Sequence, residues 1–280
     1  MLALSAFHQP QSLEQLIELL RPGRAILAGG TDLCVNPRFL AGVDEVIDIG
    51  RCGLSWIRPD GAWLSIGAGT SMRDVAESAA IRRLGGGILA QAAEACASPN
   101  IRNVATIGGN CASALPSADT PTALIALDAA AVLRGPSGSR ELPLAAFFEG
   151  PARNALRNEI LLELRLPIDG RAASFQKLGR AEDDIAMVNV ATAFRLDGAR
   201  MLEVRVVAGA VAPVPLRCIA TEALLEQQTP SEQLFEAAAV SAMAEIAPIS
   251  DHRTSAGYRR RMCGVLVRRA LHETLERAQP

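Results

Sequence analysis

Between positions 12 and 20, apolar residues fall at Leu13, Leu16, Ile17, Leu19 and Leu20. This helical spacing begins behind Ser12, a good N-capping residue, and stops at Arg21-Pro22-Gly23. A short apolar run at 25–28 then enters the turn Gly29-Gly30-Thr31-Asp32-Leu33, the pattern of a buried strand delivering a glycine loop. Two further short strands are predicted at 43–49 and 63–66, the second broken by Gly67-Ala68-Gly69. Over 71–84 the charge pattern and apolar periodicity predict a single amphipathic helix. Gly85-Gly86-Gly87 separates it from 88–97, whose small residues predict an interior helix ended by Pro99. The stretch 98–110, with a second pair at Gly108-Gly109, is expected to be loop. A helix at 121–128, a strand at 129–134, a hairpin turn at 136–139 and a strand at 160–166 closed by Pro167 complete this half.

The character of the chain changes after Ile168-Asp169-Gly170-Arg171. Strands are predicted at 173–178, 186–196 and 202–209, then helices at 219–227, Glu232–Glu245 and 255–277. Strands first and helices afterwards predict an α+β unit, an antiparallel sheet with helices on one face. The expected division is therefore 1–168 and 169–280.

Composition narrows the function classes. The 280 residues are 49% hydrophobic with a net charge of −2, which excludes disorder and offers no basic footprint for nucleic acid. Charged residues interrupt every apolar run before the roughly 18 to 20 residues that a membrane span needs. The stretch from Met1 to Pro10 lacks the basic start and long apolar core of a signal peptide, so a cytoplasmic protein is expected. The six cysteines are scattered without a C-x-x-C pair, which argues against a zinc or iron–sulfur site held by this chain; no metal site is expected. His8, His252 and His272 form no triad or ligand set, and there is no G-x-S-x-G, so no catalytic side chain is assigned.

The candidate chemistry lies in the glycines. A diphosphate needs several N–H donors converging on a small volume, and glycine allows close approach because it has no Cβ. One Gly-Gly pair is most often a structural turn. Two pairs beside hydroxyl and amide side chains, each reached from an apolar segment, make a two-sided dinucleotide cradle plausible. There is no G-x-x-x-x-G-K-[ST], which excludes a P-loop, and Met72 stands where a third Rossmann glycine would follow Gly67 and Gly69. Lys177 is the only lysine among 28 basic residues; by type alone it reads either as a surface strand residue or as a placed cation. Arg180 and Asp184 have the spacing of an ion pair, structural or functional.

The ordered set Ala28-Gly29-Gly30-Thr31-Asp32-Leu33, Thr106-Ile107-Gly108-Gly109-Asn110, Pro116, Asp119, Glu159-Ile160-Leu161-Leu162 and Phe175-Gln176-Lys177-Leu178-Gly179-Arg180-Ala181-Glu182-Asp183-Asp184-Ile185-Ala186 resembles the flavin subunits of molybdenum hydroxylases of the xanthine dehydrogenase and carbon monoxide dehydrogenase type. The likeness runs from the first helix to Asp251-His252-Arg253-Thr254-Ser255. It implies a two-lobed FAD-binding domain of the vanillyl-alcohol oxidase type, with lobes at about 1–55 and 56–168, followed by the smaller α+β domain. It implies FAD as the only redox cofactor, held by Ile26 and Leu27 with the first loop, by the second loop with Ser113, and by Asp119, Leu161 and Lys177. Backbone N–H groups of both loops would surround the diphosphate and ribityl chain, and Lys177 would reach the flavin's polar edge. Cys96 stands where some relatives carry an aromatic residue, which puts an aromatic gate there in doubt. The implied function is an oxidoreductase subunit in a hetero-oligomer: it takes electrons from an iron–sulfur subunit, beside a molybdenum-cofactor subunit, and passes them to NAD, quinone, ferredoxin or oxygen. The alternatives are a free-standing flavin reductase of the same fold, for which no substrate-protonating side chain is evident, and a flavin-free scaffold.

Overall fold

The computed structural model describes residues 4–279. The chain opens on β1 (Ala6–His8), α1 (Leu13–Leu19), β2 (Arg24–Leu27) and β3 (Glu45–Asp48). Ser12 caps α1 by accepting from the Gln15 amide, and α1 buries Leu16 completely. β3 lies between β1 and β2 and runs parallel to both, with Ile26 opposite Ile47. Strands that run the same way in one sheet need a crossover connection, and α1 carries the one from β1 to β2, leaving the place between them for β3.

A second, antiparallel sheet has the order β4-β5-β10-β6-β7. Its first two strands are β4 (Ile57–Asp60) and β5 (Trp63–Gly67). Six helices follow before the chain returns to that sheet: α2 (Met72–Glu77), α3 (Ala79–Arg83), α4 (Ile88–Glu94), α5 (Pro99–Arg102), α6 (Ile107–Ala112) and α7 (Asp119–Ala126). The remaining strands are β6 (Ala130–Gly135), β7 (Gly138–Pro143) and β10 (Ile160–Pro167), with a small hairpin of β8 (Phe148–Gly150) and β9 (Arg153–Asn154) between β7 and β10.

Two expectations are corrected here. The single helix predicted over 71–84 is α2 and α3, split because Ser78 leaves helical geometry and caps α3 by accepting from the Ile81 amide. The loop predicted over 98–110 holds α5 and the start of α6: Pro99 opens a helical turn rather than closing one, and Thr106 caps α6. Proline's fixed φ suits a helix's first residue, where no intrahelical N–H bond is lost.

The last unit contains β11 (Ala172–Leu178), β12 (Val188–Asp197), β13 (Arg200–Gly209) and β14 (Leu216–Arg217), antiparallel in that order, then α8 (Ile219–Leu225), α9 (Glu232–Glu245) and α10 (Ala256–Ala278). Alternate residues of a strand face opposite sides, and here both sides are buried. Val188, Val190, Phe194, Val204 and Val206 share a core with Phe235, Leu266 and Val267 of α9 and α10. Ala173, Phe175, Ala191, Ala193 and Val207 join the core built around α4 and α7. The helices α8–α10 therefore cover one face, as the pattern predicts, and α4 and α7 of the first unit cover the other.

A charge cluster around the buried Arg171 links the two units. Arg171 bridges Asp169 at 2.7 Å and Asp128 at 2.8 Å, and Arg205 reaches Asp128 at 2.8 Å. Among the described residues no helix is long and apolar enough to cross a membrane.

Candidate functional site

The first glycine loop touches, backbone to backbone, the Val104–Ala105 segment that leads into the second. A Cβ on Gly29 would lie 1.9 Å from the Val104 carbonyl oxygen and 2.9 Å from Ala105 Cα, so only glycine allows this approach. Gly108 also packs closely on Ala68, where a Cβ would lie 2.5 Å from the alanine Cβ. These contacts floor a cleft of about 540 Å³, within the range of small-molecule and cofactor sites. Its walls come from the first sheet through Ile26 and Ile49, from the helical region through Thr106 to Asn110 and Ser113, and from β10 and β11 through Leu161 and Lys177.

The loops differ in their hydrogen bonding. In the second, the amides of Ile107, Gly108, Gly109 and Asn110 are committed: to Thr70 O at 3.0 Å, Ala68 O at 2.9 Å, Thr106 Oγ1 at 3.0 Å and Thr106 O at 2.9 Å. In the first, the amides of Gly29, Gly30, Thr31, Asp32 and Leu33 donate to no acceptor among the described residues. Open donors were expected on both loops. They are found over 29–33 alone, because Thr70 and Ala68 bring carbonyls alongside Ile107 and Gly108 while Thr106 takes the amides of Gly109 and Asn110.

Lys177 lies on β11 with its side chain 10% exposed, and its Nζ donates to Asp119 Oδ2 at 2.8 Å and to Ala95 O at 2.6 Å. It is not a surface strand residue. Asp119, at the start of α7, accepts a second bond from Asn189 Nδ2 at 2.7 Å. Burial pushes the Asp119 carboxyl up; the Lys177 charge and the bonds from Lys177 and Asn189 oppose this without cancelling it. Three donors on an ammonium leave Lys177 one N–H beyond these two bonds. Cys96 lines the same wall, and burial, with a smaller push from Asp119, raises its thiol to about 11. It is a neutral packing group there.

The cleft is acidic by count. Asp32, Asp119, Glu159, Asp183 and Asp184 line it, against the single cation Lys177. Glu159 is held by Arg140 in a bidentate pair, both bonds at 2.8 Å, and Asp184 by Arg180 at 2.9 Å, so the expected Arg180–Asp184 pair is present. With so little cationic charge, an anionic group entering here must be stabilised by dipoles. The open amides of the first loop are the ones in place.

Of the residues expected at the site, Ile26, Ala28, Gly29, Gly30, Thr31, Asp32, Leu33, Thr106, Gly108, Gly109, Asn110, Ser113, Asp119, Leu161 and Lys177 line this one cleft. Leu27 and Ile107 do not. Leu27 alternates away from Ile26 along β2, and Ile107 is fully buried in the core. Sequence reasoning missed Val35, Phe39, Ile101 and Ile185, which add apolar lining. It also missed Asn189, fully buried within β12; a lone amide inside the run Val188 to Ala193 was its only signal.

A cleft with glycine-enforced close approach, uncommitted amides on one loop and a buried lysine on the far wall fits a dinucleotide with a redox-active ring. Residues 3–169 match the family described as "FAD binding domain in molybdopterin dehydrogenase", and residues 173–274 match "CO dehydrogenase flavoprotein C-terminal domain". The chain is 35% identical over 276 residues to the carbon monoxide dehydrogenase medium chain of Hydrogenophaga pseudoflava, covering 95% of each. It is 30% identical to the xanthine dehydrogenase FAD-binding subunit of Escherichia coli O157:H7, over 99% of this chain and 98% of that one. In three dimensions it resembles a chain of the carbon monoxide dehydrogenase from Hydrogenophaga pseudoflava solved without the Mo-pyranopterin moiety, with a TM-score of 0.93, 33% identity and full coverage of both chains.

Proposed function

The chain belongs to the family of FAD-binding subunits of molybdenum hydroxylases, and from that premise we propose that it relays electrons from an iron–sulfur subunit to an external acceptor, with substrate chemistry on a separate molybdenum-cofactor subunit. It is a two-domain flavoprotein oxidoreductase subunit with FAD as cofactor. FAD supplies a redox centre that exchanges electrons singly or in pairs, which suits a relay between one-electron and two-electron partners.

The residues divide the work of holding it. Gly29 to Leu33 would offer main-chain N–H donors to the diphosphate, where a side chain on Gly29 would push the two loops apart. Asn110 and Ser113 would contribute from the second loop, and Ile26 and Leu161 would pack on apolar parts of the cofactor. Lys177, held by Asp119 and Ala95 O, would present its remaining N–H and its charge to the ring's polar edge, favouring the reduced form. None of these side chains is assigned a role in bond breaking.

The observation that carries this reading is the Gly29–Val104 contact, because it turns two remote glycine segments into one floor. The test is native co-purification with metal analysis and a visible spectrum. Flavin, iron and molybdenum eluting together support the relay. A flavin-bearing chain that turns over NAD(P)H with a small substrate, with neither metal present, overturns it in favour of a free-standing reductase.

A further inference from the structure

The first turn of α7 is polar yet buried: Asp119, Thr120 and Thr122 are all withdrawn from water. Asp119 is committed to Lys177 and Asn189, and Thr122 Oγ1 donates to Asn189 Oδ1 at 2.8 Å. Thr120 faces elsewhere. Its Oγ1 donates to Asn110 Oδ1 at 2.7 Å, and Asn110 lines the cleft.

A buried hydroxyl needs an acceptor for its hydrogen, and Asn110 Oδ1 is the one this hydroxyl meets. The bond therefore fixes which end of the Asn110 amide is which. With Oδ1 held on the α7 side, Nδ2 and its two hydrogens are left without an acceptor among the described residues. This matters because the second loop has spent its other donors. The amides of residues 107–110 are committed, and the Ser113 hydroxyl donates to Asn110 O at 3.1 Å.

We propose that Thr120 is a positioning residue for the cofactor, locking the Asn110 side chain so that it offers N–H donors, and not a carbonyl oxygen, to acceptor oxygens of the bound dinucleotide. The proposal rests on the FAD reading above. An amide freed to turn over would set its carbonyl against those oxygens, and the repulsion would fall on binding alone.

The test titrates FAD into the full-length chain freed of flavin, following quenching of flavin fluorescence, with the melting temperature of each flavin-free variant read alongside. Thr120→Val removes the donor with little change of shape. It is expected to weaken FAD about tenfold, as loss of one well-placed hydrogen bond does, while Thr120→Ser restores affinity to within about twofold. Asn110→Ala is expected to weaken FAD at least as much, and Thr120→Val should then add nothing in the Asn110→Ala background. Should Thr120→Val melt early, Thr120→Ala in the same cycle gives the coupling. Equal losses that simply add would mean that Thr120 acts on packing and not through Asn110, which overturns the proposal. Asn110→Ala weakening FAD while both Thr120 variants bind normally overturns it and leaves the FAD reading intact. Normal binding by Asn110→Ala removes Asn110 from the site and overturns it too. A wild-type chain that binds no FAD ends the parent reading.

Discussion

The first glycine loop leaves the amides of residues 29–33 without acceptors among the described residues, whereas the second spends those of residues 107–110 on Thr70, Ala68 and Thr106. Both loops line one cleft, and both need glycine at a point of contact. Their glycines serve different ends. Gly29 lets backbone meet backbone while its neighbours keep their donors open. Gly108 lets a capped helical turn seat on Ala68, and that loop then faces the cleft mainly with side chains. Similar sequence motifs thus give open main-chain donors in one place and a side-chain lining in the other.

Gly29→Ala should separate the two most. The new Cβ would sit 1.9 Å from a carbonyl oxygen that belongs to rigid backbone, so the loops must part. We expect a loss of about 3 kcal/mol or more, the upper end of what overpacking costs, and protein that purifies colourless; a yellow variant with an unchanged melting temperature would break the comparison. Next in size is Lys177→Met, which strands the buried Asp119 carboxylate and should cost about 3 kcal/mol. It spares both loops, so flavin should still load, with a lower reduction potential. Pairing it with Asp119→Asn should recover most of the stability in a denaturant melt.

Thr106→Val removes the α6 cap and releases the Gly109 amide. Capping losses run to about 1 kcal/mol, and a drop of that size in chemical denaturation, with flavin retained, would show that the second loop's amides are structural. The smallest effect concerns the first lobe. Hydrogen bonds from His8 and then Arg21 hold the Glu45 carboxyl down at about 2, below its ordinary 4.5. A depressed carboxylate contributes stability that is present above its unfolded value and lost as pH falls through its folded one. Melting temperature should therefore fall between those values, and Glu45→Gln should flatten that acid limb slightly, since the group is solvent-screened. An unaltered limb would detach this pair from the lobe that carries the first loop.

Elements with both a period and a cap were legible in the sequence. α9 runs Glu232–Glu245 as predicted because Ser231 accepts from the Leu234 amide and apolar residues recur behind it. α6 escaped because Ile107-Gly108-Gly109-Asn110 has no apolar stripe; its helix is imposed by the Thr106 cap and by seating on Ala68. The short strands β1, β4 and β7 were missed as well. They are mostly exposed edges, with no buried alternation to read. At the site, the glycines announced both loops, but not the contact between Gly29 and Val104, which depends on how two segments far apart in sequence pack. Nor could the sequence separate spent amides from open ones, since that depends on which carbonyls Ala68 and Thr70 bring alongside.

The sheet β11–β14 has one side in the core of α9 and α10 and the other in the core of α4 and α7. A chain cut near residue 168 would leave Ala173, Phe175, Ala191, Ala193 and Val207 facing solvent on one fragment and the matching helix surfaces bare on the other. The two halves should therefore melt in a single transition and resist being exchanged as interchangeable parts. A tail domain grafted from a distant relative would have to bring a compatible inner surface with it before any redox partner could matter.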